Sequence, residues 1–219
     1  MSSGSDAVKA ILWDNDGVLV DTEQLYFRVT KDVLASVGVD LTEDQFVELL
    51  LVQGRGAWHL AEERGIAGDE IDRLREQRNA QYAECLARAP LVLAGVESVL
   101  AELHGRYVMG IVTTCIPEHF AVIHRSSGLL KYFDFVLLPG DYDRHKPHPD
   151  PYLRAIERSG VDRSACVAIE DSERGLASAT GAGLRCFVIR TPLTRGRAFA
   201  GAHRVLRNVT EIPAALSAP

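Results

Sequence analysis

The chain has 219 residues, 47% hydrophobic and 25% charged, enough to bury the core of one large domain or of two unequal ones. A net charge of −6 speaks against nucleic acid or an anionic membrane as a main partner, since both select basic surfaces, and leaves a small anionic ligand open. No apolar run approaches the ~20 residues of a membrane span, and the polar start Met1 to Asp6 lacks the basic and apolar parts of a signal peptide. In chain order, Val8 to Trp13 reads as the first buried strand. From about Glu23 to Ala89 no strand pattern occurs, and Leu25–Val37, Glu43–Leu51, Ala57–Arg64 and Asp69–Arg88 read as helices. Thr42 is placed as an N-cap ahead of Glu43, Asp44 and Gln45, with Gly38 and Gly65 as stops. Pro90 and Gly95 mark a return to alternating structure. Strands are expected at Tyr107–Val112, Phe133–Leu138, Cys166–Ile169 and Arg185–Ile189, with helical spacing at Val96–Leu103, Tyr152–Ile156 and Gly175–Ala182. The fold class is therefore α/β: a parallel sheet with helices on both faces, interrupted after the first strand by an all-helical insertion. The domains are set at 1–22 plus 90–219 for the sheet core and 23–89 for the helical insertion.

The cysteines Cys85, Cys115, Cys166 and Cys186 form no CxxC pair, so a zinc site is not expected. Free, buried thiols in a reducing cytoplasm are expected instead. Lysine occurs only at 9, 31, 131 and 146, so any task that requires a lysine has few candidates.

The first strand runs into Asp14-Asn15-Asp16-Gly17-Val18-Leu19-Val20-Asp21-Thr22. Residues i and i+2 of an extended chain point the same way, so Asp14 and Asp16 face one site at the strand's carboxyl end, where open α/β sheets bind ligands. Taken alone, this is an Asp-rich turn with Gly17 permitting the bend. Three further segments change the reading. Val108-Met109-Gly110-Ile111-Val112-Thr113 is an apolar strand ending in a hydroxyl. Lys146-Pro147-His148-Pro149-Asp150 sets a lysine in a turn ahead of a helix. Cys166-Val167-Ala168-Ile169-Glu170-Asp171-Ser172-Glu173-Arg174-Gly175 is a strand ending in an acidic pair.

In this order the four segments resemble the motifs of the haloacid dehalogenase superfamily, in the subgroup with helical caps: D-x-D-G-x-L-x-D-S/T, a strand ending in Ser or Thr, K-P-x-P-D/E, and E-D-S-x-x-G. The resemblance covers Ala10 to about Ile189. It departs at Thr114, where many relatives carry Asn. It implies a Rossmann-like core with an inserted cap, and a magnesium-dependent phosphatase acting through an aspartyl-phosphate. In that scheme Asp14 is the nucleophile and Asp16 the acid–base. Lys146 neutralises charge, and Thr113 with the backbone N–H of Thr114 holds the phosphate. Mg2+ is held by Asp14, the carbonyl of Asp16, Asp171 and, directly or through a water, Glu170. Asp16 also favours phosphate over halide chemistry, because dehalogenases of the superfamily lack a carboxylate there. Gln53-Gly54-Arg55-Gly56 occupies the place of the specificity loop, so Gly54 and Arg55 are candidate substrate contacts. Trp58 is assigned to the core, and a structural role is expected for His59. The substrate implied is a small phosphorylated metabolite, a sugar phosphate above all.

Alternatives remain. A phosphomutase of the β-phosphoglucomutase type is disfavoured by Tyr26, where that relative has His. A phosphonoacetaldehyde hydrolase needs a cap lysine, and the segment holds only Lys31; arginine does not form the imine. A receiver-type phosphorylation switch is shorter and lacks the insertion, and a binding protein that has lost catalysis would not keep every catalytic position. The sequence leaves the oligomeric state open, with a monomer as the default.

Overall fold

In the computed structural model, which describes residues 7–217, six parallel strands form one sheet in the order β3-β2-β1-β4-β5-β6. They are β1 Ala10–Trp13, β2 Val108–Val112, β3 Phe135–Leu137, β4 Cys166–Glu170, β5 Arg185–Ile189 and β6 Arg204–Leu206. Because β1 pairs with both β2 and β4, its carboxyl end is where the chain's crossovers diverge to opposite sides.

Period-two alternation explains the layering. Ile11, Trp13, Met109, Ile111, Val167, Ile169, Phe187 and Ile189 belong to one apolar cluster. It is closed by α5 Val96–Leu103, α6 Pro117–His124 and α9 Ile212–Ser217. Ala10, Leu12, Val112, Cys166, Ala168, Cys186 and Val188 belong to the other, closed by α7 Asp150–Ser159 and α8 Glu173–Gly181. Gly110 permits a close approach inside this layer, since a Cβ there would lie 2.2 Å from Phe135 Cζ.

Between Glu23 and Arg88 the described elements are helical: α1 Glu23–Ala35, α2 Glu43–Phe46 continued by a π-helical segment Val47–Val52, α3 His59–Glu62 and α4 Gly68–Arg88. Thr42 and Gln45 make a reciprocal capping box, and Gly38 and Gly65 take positive φ where α1 and α3 give out. Val33, Leu34, Leu41, Phe46, Leu51, Trp58, Ile71 and Leu74 give this segment a core of its own. The other half of α4 inserts Tyr82 and Leu86 into the sheet's cluster. Arg197 ties the two parts, with Glu48 at 3.7 Å and Glu173 at 2.6 Å.

β6, α6 and the short terminal helix α9 have no counterpart among the elements expected from the sequence. β6 is three residues long and lies at the sheet edge. In α6 the buried positions include His119 and His124, which break the apolar period. All four cysteines are free, Cys166 and Cys186 buried in the sheet. Among the described residues no helix is long and apolar enough to cross a membrane. Met1 to Asp6 lies outside the described residues.

Candidate active site

The site lies where β1, β2 and β4 end. Asp14 and Asp16 leave β1 on the same side. Gly17, at φ 75°, begins a tight turn closed by Gly17 N–H to the carbonyl of Val20 at 2.8 Å. Asp16 is held on both carboxylate oxygens: Thr22 Oγ1 donates to Oδ1, while Asn15 Nδ2 (3.3 Å) and Thr113 Oγ1 (3.4 Å) donate to Oδ2. Burial first, and the Asp14 charge second, push its carboxyl above the usual range.

Lys146 is 3% exposed. Its ammonium donates to Asp14 Oδ1 at 2.8 Å, to Glu170 Oε1 at 2.7 Å and to the carbonyl of Val112 at 2.8 Å, which uses all three protons. Burial alone would lower the lysine, but the carboxylates of Asp14 and Glu170 outweigh it and hold the ammonium charged. Glu170 Oε1 also accepts from Tyr152 O–H at 2.6 Å. Thr113 Oγ1 accepts from Cys115 N–H, and its carbonyl accepts from Tyr142 O–H at 2.6 Å. Thr114 Oγ1 accepts from Arg174 Nη2 at 3.3 Å.

Asp14, Glu170 and Asp171 each present a carboxylate oxygen within 4.8 Å of the others, an arrangement that could hold a metal ion. The donor set fits a hard divalent cation: oxygens only, and Asp171 Oδ2 buried with no hydrogen-bond partner. Desolvation, then the neighbouring Glu23, raise Asp171 well above the carboxylate range; desolvation likewise raises Glu23 to about 7. Crowded carboxylates of this kind need a counter-charge. The Asp16 carboxylate stands outside this trio, and Glu170 divides itself between it and Lys146.

A cleft of about 390 Å³ opens from Asp16 and Lys146 toward the helical segment, lined also by Glu23, Tyr26, Gly54, Arg78, Thr114 and Arg174. Gly54 packs against the Lys146–Pro147 backbone: a Cβ would lie 3.2 Å from Pro147 Cδ. Arg55 is exposed and lines a small neighbouring cleft instead. Lys31 lies on the surface near Asp40. The cleft's cation from the helical segment is Arg78, which sequence reasoning missed. It is 8% exposed, stacked 4.4 Å over Tyr26, and donates from Nε to Asn79 Oδ1. Its signal was present: Leu74, Arg78, Tyr82 and Leu86 recur every four residues on the buried face of α4, so one arginine sits in an apolar stripe.

The profile of haloacid dehalogenase-like hydrolases matches residues 11–189. The protein CbbY of Cereibacter sphaeroides is 32% identical over 216 residues, covering 94% of each chain. A phosphorylated carbohydrates phosphatase of Thermotoga maritima is 30% identical, covering 87% of this chain and 89% of its own. Among solved structures, a CbbY variant from Rhodobacter sphaeroides in complex with xylulose-1,5-bisphosphate superposes with a TM-score of 0.77 at 28% identity, covering 92% of this chain and 94% of that one.

Proposed function

This chain belongs to the haloacid dehalogenase-like hydrolase family, and from that premise we propose that it is a Mg2+-dependent phosphatase of a small phosphorylated metabolite, a sugar phosphate, working through an aspartyl-phosphate on Asp14. The observation that carries the reading is the convergence of Asp14, Asp16, Thr113 and Lys146 at one strand end, with Lys146 bonded to Asp14. The CbbY complex with a sugar bisphosphate and the carbohydrate phosphatase relative support the substrate class.

A phosphate monoester dianion and an attacking carboxylate repel each other, so charge must be offset before they approach. A divalent cation such as Mg2+ would be held by Asp14, Asp171, the Asp16 carbonyl and Glu170, and would supply part of that offset. Lys146 supplies a further positive charge through its bond to Asp14. Thr113 Oγ–H and the Thr114 backbone orient the phosphate. A carboxylate oxygen of Asp14 forms the new bond to phosphorus as the ester P–O bond breaks, and Asp16 gives its proton to the departing oxygen. The Asp16 carboxylate then takes a proton from the water that attacks phosphorus, releasing inorganic phosphate and restoring Asp14. The elevated Asp16 carboxyl suits both halves of this cycle.

Helices of 23–89 act in this reading as a cap that closes the cleft and excludes water. Gly54 seats against Pro147, and Arg78 offers its guanidinium to a polar or anionic far end of the substrate. Arg55 is a rim contact at most, from its exposed position. A cytoplasmic setting belongs to the same reading, supported by the free thiols.

The test is a panel of sugar phosphates assayed for phosphate release with and without Mg2+, together with acid-quenched single turnovers. Metal-dependent release and a transient phosphoprotein that Asp14→Asn lacks are expected. Near-wild-type release by Asp14→Asn overturns the proposal.

A further inference from the structure

Asn15 lies between Asp14 and Asp16; its side chain is 0% exposed and is not among the groups that line the cleft. Its Oδ1 is 2.8 Å from His124 Nε2, and His124 Nδ1 is 2.9 Å from Ser127 Oγ. Its Nδ2 donates to Asp16 Oδ2 at 3.3 Å. The ends of this chain fix its direction. Asn15 Nδ2 donates to Asp16 Oδ2, so the amide NH2 faces Asp16 and the amide oxygen faces the imidazole. That oxygen can only accept, so His124 carries its proton on Nε2. Nδ1 is then a lone pair to which Ser127 O–H donates, while Ser127 Oγ accepts from Leu129 N–H at 3.1 Å. Every link from Leu129 to Asp16 pairs one donor with one acceptor. Burial pushes the His124 imidazole down to about 4, which keeps the ring neutral as this pattern requires.

We propose that His124, acting through Asn15, is a positioning residue that aims the Asp16 carboxyl at the leaving oxygen. The inference rests on the reading of Asp16 as the acid–base group. Two features make Asn15 an effective anchor. Its backbone carbonyl accepts from Leu19 N–H at 2.8 Å and Val20 N–H at 3.2 Å, so holding Asn15 also holds the turn from which Asp16 projects. Without the Asn15 amide, Asp16 keeps Thr22 on Oδ1 but only the long contact from Thr113 on Oδ2, and the soft terminal torsion of a carboxyl is then pinned firmly at one oxygen instead of two. Among the described hydrogen bonds the nucleophile Asp14 shares none with these groups; its carboxylate is held by Lys146.

Leaving-group chemistry tests this. An alkyl or phenyl ester needs a proton as its P–O bond breaks, whereas p-nitrophenolate departs readily without one. Values of kcat/KM for p-nitrophenyl phosphate, phenyl phosphate and glycerol 3-phosphate report that step. For His124→Phe the expected loss is about 10-fold or more on the phenyl and glycerol esters, a fraction of the ~10²–10⁴ that acid–base help supplies, and under about threefold on the p-nitrophenyl ester. His124→Gln, whose amide N–H replaces Nε2–H, restores most of the loss, and His124→Phe with Asn15→Leu is no worse than the weaker single variant. If His124→Phe fails to fold, Ser127→Ala replaces it: freeing Nδ1 to take the proton is expected to give about a threefold loss with the same leaving-group dependence. Equal losses across the three esters, or no recovery in His124→Gln, overturn the proposal. Asp16→Asn in the same series separates the two readings. A flat profile there refutes the acid–base role itself, whereas a steep profile beside a flat one for His124→Phe refutes only the positioning role.

Discussion

Lys146 and Glu170 form a buried ion pair, Nζ to Oε1 at 2.7 Å, with 2% and 0% of their side chains exposed. Tyr152 O–H completes the glutamate and Asp14 completes the lysine. Removing Glu170 leaves Lys146 its Asp14 partner but deprives the buried donors of Lys146 and Tyr152 of their acceptor, which typically costs ~1–3 kcal/mol. Glu170→Ala is therefore expected to lower stability by about that amount in urea unfolding, with Glu170→Gln milder because it keeps an acceptor for Lys146 and Tyr152. Lys146→Met is expected to lower kcat by about 10²-fold or more, the scale of one lost charge-stabilising donor, measured as steady-state phosphate release.

Arg78 has no carboxylate partner among the described ion pairs, although it is almost wholly buried at the cleft wall. Arg78→Ala is expected to lower kcat/KM about 10- to 100-fold for substrates with a polar or anionic far end, from the ~1.5–3 kcal/mol of a charged hydrogen bond. p-Nitrophenyl phosphate, with no such end, should change less than about threefold. Equal losses on both substrates would place Arg78 in the fold rather than in recognition.

The acidic cluster links stability to pH and metal. Desolvation raises Glu23 to about 7 and Asp171 well above its ordinary value. A carboxyl raised on folding favours the native state while protonated; that contribution is complete below about pH 4.5 and is lost as pH rises through about 7. The metal-free protein is expected to melt at a lower temperature near pH 8 than near pH 5.5. Mg2+ at 100 times its Kd adds ~2.7 kcal/mol, a rise of about 5–10 °C for a chain of this length, and the rise is larger at the higher pH. Differential scanning calorimetry at the two pH values, with EDTA or Mg2+, checks the sign.

Gly17 admits no side chain. Its φ is 75°, and a Cβ would lie 2.1 Å from Asp171 Oδ2, the buried oxygen without a partner. Gly17→Ala is expected to displace Asp171 and weaken Mg2+ binding about 10-fold or more, read by calorimetric titration, since supporting contacts around a metal site typically carry that much. Unchanged Mg2+ affinity in this variant would separate Asp171 from the metal site.

The sheet core was legible in the sequence because apolar runs bounded by turns are a local signal. Val96–Leu103 and Arg185–Ile189 fall where the period places them, and Thr42 caps α2 as its neighbours imply. The four motif segments were legible too, since residues that carry charge at strand ends stand out against apolar runs. β6 and α6 were not: three edge residues carry no period, and buried histidines mimic a solvated face.

What the sequence by itself determined is which residue types arrive at the sheet's carboxyl end, for alternation along β1 and β4 dictates that from local geometry alone. Only the tertiary structure decided their partners. It gave Glu170 to Lys146 and Tyr152, brought Arg78 of α4 to the cleft in place of Arg55, and set His124 against Asn15 across 109 positions of chain. Such pairings depend on how helices dock on the sheet, and a hydrogen bond between distant residues leaves no pattern in the neighbours of either one.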